Sequence, residues 1–236
     1  MQSIGVLGMA VLLSACGGGQ SDAGNAGTNQ AVTDAQIVAS IQSSNIDFVP
    51  GANGRLPGTW RWAGAPARHV TVHIPPPSAA SATEQDYANK VATSVSQLNA
   101  KLSGLLVLDI SNSVPASGNY IHVSYGTSFV PPGSTDYLAY CANVSTAPNQ
   151  GSMIMPGVDN GITSSPVFIN LGNGHCDVTQ AIVTHEFGHA LGLANHFPGF
   201  GVGIDVPALF WDVLTTLYAN PQSTTAANLV VKHAPN

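Results

Sequence analysis

The chain of 236 residues is short of charge: Asp, Glu, Lys and Arg together make up only 8% of it. The six Lys and Arg residues are scattered. A phosphate-binding face needs clustered cations, so nucleic acid is excluded as a partner. The formal net charge is −6, and Gly, Ser, Thr, Asn and Ala are plentiful, so hydroxyls and amides rather than ion pairs solvate the surface. Glutamate occurs only twice, at Glu84 and Glu186. No methionine follows Met155, and there are only three cysteines. No apolar run reaches the roughly 20 residues of a membrane-spanning helix, and there is no internal repeat. The length suits one domain of ordinary size or two small ones.

The N-terminus carries an apolar run, IGVLGMAVLLSA at residues 4–15, which reads as the core of a signal peptide. It ends in Leu13-Ser14-Ala15-Cys16, which resembles the lipobox of bacterial lipoproteins. That resemblance implies a lipid on Cys16, a membrane anchor and a place in the bacterial cell envelope. Departing from the pattern, the leading Met-Gln-Ser contains no Lys or Arg. A simple secretory signal is the alternative, and both place the protein outside the cytoplasm. The remaining pair, Cys141 and Cys176, then meets an oxidising compartment, where a disulfide is expected. Two free buried thiols, or a cysteine that masks a metal, are the other readings.

Residues 1–16 are therefore read as a signal peptide, 17–55 as a Gly/Ser/Asn-rich tether with a short pro-like segment, and 56–236 as the working domain. Within 17–55, residues 33–44 suit a helix capped by Thr33 or Asp34. Residues 67–74 alternate, with Val70, Val72 and Ile74 on one face and His69, Thr71 and His73 on the other, as in a half-buried strand. Ser81 and Glu84 form an S-x-x-E capping box. Tyr87, Val91, Val95, Leu98 and Leu102 follow at helical spacing, and Gly104 supplies the stop. Residues 105–110 and 119–125 read as strands, with shorter candidates at 151–155 and 166–171. The order implies an α+β domain with a helix packed on a mixed sheet. A further helix, capped by Asp177 with Gln180 at the box position, carries Val183, Phe187, Ala190 and Leu191 as its core stripe and ends at Gly192.

That helix contains His185-Glu186-Phe187-Gly188-His189. Two imidazoles four residues apart share one face and bind one tetrahedral Zn2+ at about 2.0–2.1 Å. A glutamate directly after the first histidine lies beside such a metal, where it serves as general base toward a water. One of the chain's two glutamates stands in this position. The remaining histidines, His69, His73, His122, His175 and His233, read as structural or solvated.

The continuation Ala190-Leu191-Gly192-Leu193-Ala194-Asn195-His196-Phe197 resembles the metzincins, zinc peptidases with the signature HExxHxxGxxH or HExxHxxGxxD. Gly192 matches. The family's third ligand falls on Asn195, a poor zinc ligand beside an imidazole or carboxylate. His196, one residue on, is the expected third ligand, and Asn195 is the alternative; snapalysin-like members carry Asp-His at this place. The Met-turn also departs: Leu-Thr-Thr-Leu-Tyr-Ala-Asn-Pro at 214–221 resembles the matrixin stretch with Leu217 in place of methionine. Tyr218 would stand near the site, as a core side chain or as a group that assists the transition state. The order of Arg61-Trp62, the strand at 67–74, the long helix and the later strands also follows a metzincin N-terminal subdomain.

The resemblance implies a mixed, mostly parallel twisted sheet packed on two long helices, with a small irregular C-terminal subdomain. It also implies a zinc cofactor, a protein or peptide substrate paired along an edge strand at 151–155, and action as a monomer. A rival from another class is a surface protein that keeps this fold and binds proteins or glycans without cleaving them. An aspzincin-like site using Asp205 or Asp212 is a third reading. A glutamate ligand from a later helix is excluded, because no Glu follows Glu186. The apolar segment 197–213 is the expected wall of any substrate pocket.

Overall fold

A computed structural model of the chain describes residues 31–48, 57–116, 118–163, 166–201 and 206–236. The apolar run at 4–15, Cys16 and the expected boundary at residue 56 lie outside them. Among the described residues no helix is long and apolar enough to cross a membrane. The fold is α+β. Five strands form one mixed sheet: β1 (Arg68–His73), β2 (Leu106–Ser111), β3 (Tyr120–Tyr125), β4 (Ala142–Ser145) and β5 (Val167–Leu171). Their spatial order is β2-β1-β3-β5-β4. All neighbours run parallel except β4, which pairs antiparallel with β5 at one edge. Among the described residues four α-helices accompany the sheet: α1 (Asp34–Ile41), α2 (Ala82–Lys101), α3 (Gln180–Ala190) and α4 (Ala208–Ala219).

The register aligns Val70, Val72, Ile121, Val123, Val167, Ile169 and Leu171 on one face of the sheet, and all are buried. Against the core, α2 turns Tyr87, Val91, Val95 and Leu98, all buried. Each such side chain contributes about 1.5–3 kcal/mol relative to exposure, so burial of the stripe holds this helix more than intrinsic propensity does. Ser81 caps it by accepting from Glu84 N at 3.2 Å. The Glu84 carboxylate reaches Ser78 N at 2.7 Å instead of closing the box on Ser81. Gly104 ends the element at φ +75°. On the opposite face of the sheet, His73 and His122 are register partners with Nδ1 atoms 3.0 Å apart, and His69 meets Asp109 at 2.6 Å.

Three expectations shift. Residues 151–155 are not a strand; the antiparallel edge is β4, whose four residues are too short to show a period of two. The chain beyond is held by side chains instead, as Asn143 Nδ2 donates to Gln150 O at 2.9 Å. The first helix ends at Ile41 and gives way to a π turn at Gln42–Ile46. It is no loose appendage, since Ile37 and Ile41 are fully buried in the common core. Thr33 is its cap, with Gln36 closing the box.

The third shift concerns α3, which is capped by Thr179 and not Asp177. Val178 is completely buried. Its carbonyl accepts from Lys90 Nζ at 2.7 Å, which keeps the chain extended until Thr179. A polar seam then fastens α3 to α2: Gln180 Nε2 donates to Ser94 Oγ at 2.7 Å, and the Ser94 and Thr184 hydroxyls meet at 2.9 Å. The Cys141–Cys176 disulfide, with Cα atoms 5.8 Å apart, ties the start of β4 to the segment entering α3. Closing a loop of 35 residues stabilises by about 3–4 kcal/mol in the chain-entropy model.

The cap gives a clean test. Thr179→Ala is expected to lower stability by about 1 kcal/mol. Asp177→Ala, at an exposed side chain, is expected to change it by less than about 0.5 kcal/mol. Urea melts of the two variants check this, and the reverse order would place the cap at Asp177.

Candidate metal centre

His185 and His189 lie on successive turns of α3. The chain leaves the helix at Gly192, whose φ of +111° suits glycine, and returns with His196 facing both. The Nε2 atoms form a nearly equilateral triangle: 3.1 Å between His185 and His189, and 3.2 Å from His196 to each. A tetrahedral ion with bonds of about 2.0–2.1 Å spaces its donors about 3.3–3.4 Å apart. The observed triangle agrees to within a few tenths of an ångström, and it is the one group of three or more metal-capable side chains found among the described residues.

Protonation chemistry favours a cation here. His189 Nδ1 donates to Leu193 O at 2.5 Å, so the neutral ring presents a bare lone pair at Nε2, the tautomer a metal requires. Burial holds all three imidazoles below their ordinary range. The neighbouring rings push His185 and His189 further down, and His189 reaches about 3 although its bond to Leu193 works the other way. Glu186, next to His185, is completely buried. An interior carboxylate is costly unless it has a task or a partner.

Asn195 turns elsewhere: its Nδ2 donates to Ser43 O at 3.2 Å. Leu217 is fully buried on α4. The Tyr218 hydroxyl donates to Leu191 O at 3.0 Å, with the Arg61 guanidinium 5.5 Å over its ring. Burial pushes its pKa well up, so it stays a donor to the end of α3. Asp212 holds the C-terminal tail, accepting from Ala234 N at 2.8 Å and meeting His233 Nδ1 at 2.9 Å. Asp205 lies outside the described residues.

Phe200, foreseen only as part of the apolar wall segment 197–213, lies against the metal centre. Its ring stacks on His185 at 4.3 Å and 23°, meets His189 at 4.9 Å, and meets His196 edge-on at 5.5 Å. A tight turn puts it there: Phe197 and Phe200 exchange backbone hydrogen bonds around Pro198-Gly199, with Gly199 at φ +90°. Pro-Gly at the two central positions is the signature of a type II turn, and that signal stood in the sequence. Gly188 of the HEFGH segment leaves room for these rings, because a Cβ there would come within 2.7 Å of both Phe200 and Phe210. Beside α3, Val206 and Trp211 of the apolar segment 197–213 line a groove of about 470 Å³ with Ala181 and Thr184.

Compared with known families and with curated proteins, the chain matches no family model and no curated sequence.

Two outcomes follow from this geometry. In the unfolded chain the rings titrate near 6.5, whereas the folded, metal-free rings resist protonation. The unfolded state therefore binds more protons below that pH, and stability falls as pH drops through about 6.5 toward about 3. Thermal melts of the metal-free protein between pH 7 and 4 are expected to show the loss, reduced in His189→Leu; identical profiles would contradict it. In Gly201→Ala the new Cβ would collide with the His196 ring, on a backbone with φ +106°. Zinc affinity, measured by competition with a chromophoric chelator, is expected to fall by at least about tenfold.

Proposed function

We propose that the protein is an extracytoplasmic zinc-dependent endopeptidase of metzincin type, held at the bacterial cell envelope through a lipid on Cys16. His185, His189 and His196 hold Zn2+, and Glu186 is the general base. The observation that carries this reading is the 3.1–3.2 Å convergence of three Nε2 atoms with a fully buried glutamate directly after the first of them. A sheet that is parallel but for one antiparallel edge strand, with α2 and α3 packed on it, supports the same reading.

A zinc ion held by these three histidines would supply Lewis acidity toward a carbonyl and toward water. The chain's own residues do the rest. Glu186 takes the proton of the attacking water and delivers it to the leaving amine, so one carboxylate serves both halves of the reaction. Its burial keeps competing solvent away from that proton. The Leu193 carbonyl holds the His189 ring in a single tautomer and orientation, and the Phe200 ring packs against all three imidazoles. Peptide hydrolysis then needs no covalent intermediate. An extended substrate adds beside β4, the antiparallel edge, with its main chain recognised by strand pairing.

Purified protein is expected to carry about one zinc per chain and to cleave an unfolded protein such as casein. Glu186→Gln is expected to keep the zinc while losing about 10²–10⁴-fold in turnover. Zinc retained with equal turnover in wild type and variant would favour a binding protein that does not cleave. Absence of zinc from the wild type would remove the reading altogether.

A further inference from the structure

Between ligand His189 and ligand His196, the backbone carbonyls of four consecutive residues each accept from a different side chain. Ala190 O takes Trp62 Nε1 at 2.8 Å, Leu191 O takes the Tyr218 hydroxyl at 3.0 Å, Gly192 O takes Asn45 Nδ2 at 2.7 Å, and Leu193 O takes His189 Nδ1 at 2.5 Å. The next two amides, of Ala194 and Asn195, both donate to Ser44 O, at 2.8 and 3.1 Å. The Asn195 side chain adds its bond to Ser43 O. A short loop ordinarily leaves such groups to water. Here the turn that presents His196 is fastened along its whole length, and four of these seven bonds come from residues 43–45.

Asn45 is the centre of that set. It is fully buried. Its Nδ2 also donates to Trp60 O at 2.7 Å, its Oδ1 accepts from Trp60 N at 3.0 Å, and its own carbonyl accepts from Trp60 Nε1 at 2.6 Å. One amide side chain thus joins the N-terminal segment, the chain entering the domain and the turn of the metal centre. The π turn at Gln42–Ile46 makes this possible. Its wider loop, closed by Asp47 N on Gln42 O at 2.8 Å, aims Ser43 O and Ser44 O out of the helix toward the turn, and π turns recur at functional positions. Gly192 completes the fit: a Cβ there would stand 3.0 Å from Trp60 O and 3.4 Å from Asn45 Nδ2.

We infer that Asn45 is a positioning residue of the metal centre, and that the segment 43–45 builds the seat of His196 before any metal arrives. The inference rests on the metal reading above and deepens it. The segment is part of the site rather than a leader to be discarded, and the third ligand is held by hydrogen bonds to a part of the chain roughly 150 residues away in sequence.

The test uses the full chain. Asn45→Ala is expected to weaken zinc binding about 10–100-fold, the usual effect of losing a partner behind a ligand. It is also expected to change the visible absorption of the Co2+-substituted protein. Ile37→Val trims the core of α1 without touching the turn. It is expected to lower the melting temperature while leaving zinc affinity and the cobalt spectrum as in wild type. Equal zinc affinity and equal spectra in Asn45→Ala and wild type would overturn the inference. If Asn45→Ala does not fold, hydrogen exchange on metal-free wild type decides instead. The amides of Ala194 and Asn195 are expected to be protected as well as that of Leu191, and protection that arises only on adding zinc would overturn the inference. A wild type that takes up neither zinc nor cobalt overturns both this inference and the metal reading; a wild type that binds both metals while Asn45→Ala binds them equally well removes this inference alone.

Discussion

Three neutral imidazole nitrogens held within 3.2 Å of one another are the constraint around which this molecule is arranged. A cation among them would draw on all three lone pairs, and the bond from His189 Nδ1 to Leu193 O already leaves the His189 Nε2 lone pair bare for it. Such a cluster persists only if the surrounding structure imposes it. The imposition is visible in three places: α3 supplies two rings one turn apart, the bonded turn 190–195 presents the third, and the Phe200 ring packs against all three.

The rest of the fold serves to hold that turn and that helix. The parallel sheet and α2 form the bed on which α3 lies, with the Ser94–Thr184–Gln180 seam setting its rotation. The disulfide fixes the approach to its N-terminus. At its other end, donors from Trp62, Tyr218 and Asn45 replace the hydrogen bonds that a helix terminus lacks. Glycine is required where atoms approach most closely: Gly188 against Phe200 and Phe210, Gly192 against Trp60 and Asn45, and Gly201 against the His196 ring.

The periodic elements were legible in the sequence. Alternation in Arg68–His73 and the stripe Tyr87, Val91, Val95 and Leu98 named their own buried faces, because period 2 and period 3.6 are direct images of strand and helix. The i, i+4 histidines were legible for the same reason, and ligand chemistry preferred His196 to Asn195. What stayed hidden depends on contacts distant in sequence. The edge strand Ala142–Ser145 is too short for a period and is defined by pairing with β5. The cap of α3 shifted because burial of Val178 delays the helix. Asn45 stood just past the expected helix at 33–44 with nothing to mark it, since its partners Trp60 and Gly192 lie 15 and 147 residues away. Phe200 could have been found from Phe-Pro-Gly-Phe, a turn that folds its last residue back toward the first.

The most direct measurement is X-ray absorption at the zinc edge of the zinc-loaded full-length protein, alongside His196→Ala. Three imidazole nitrogens at about 2.0–2.1 Å are expected in the wild type, and two in the variant. Two imidazoles in both proteins, or a zinc signal free of imidazole scattering, would contradict a centre closed by His196.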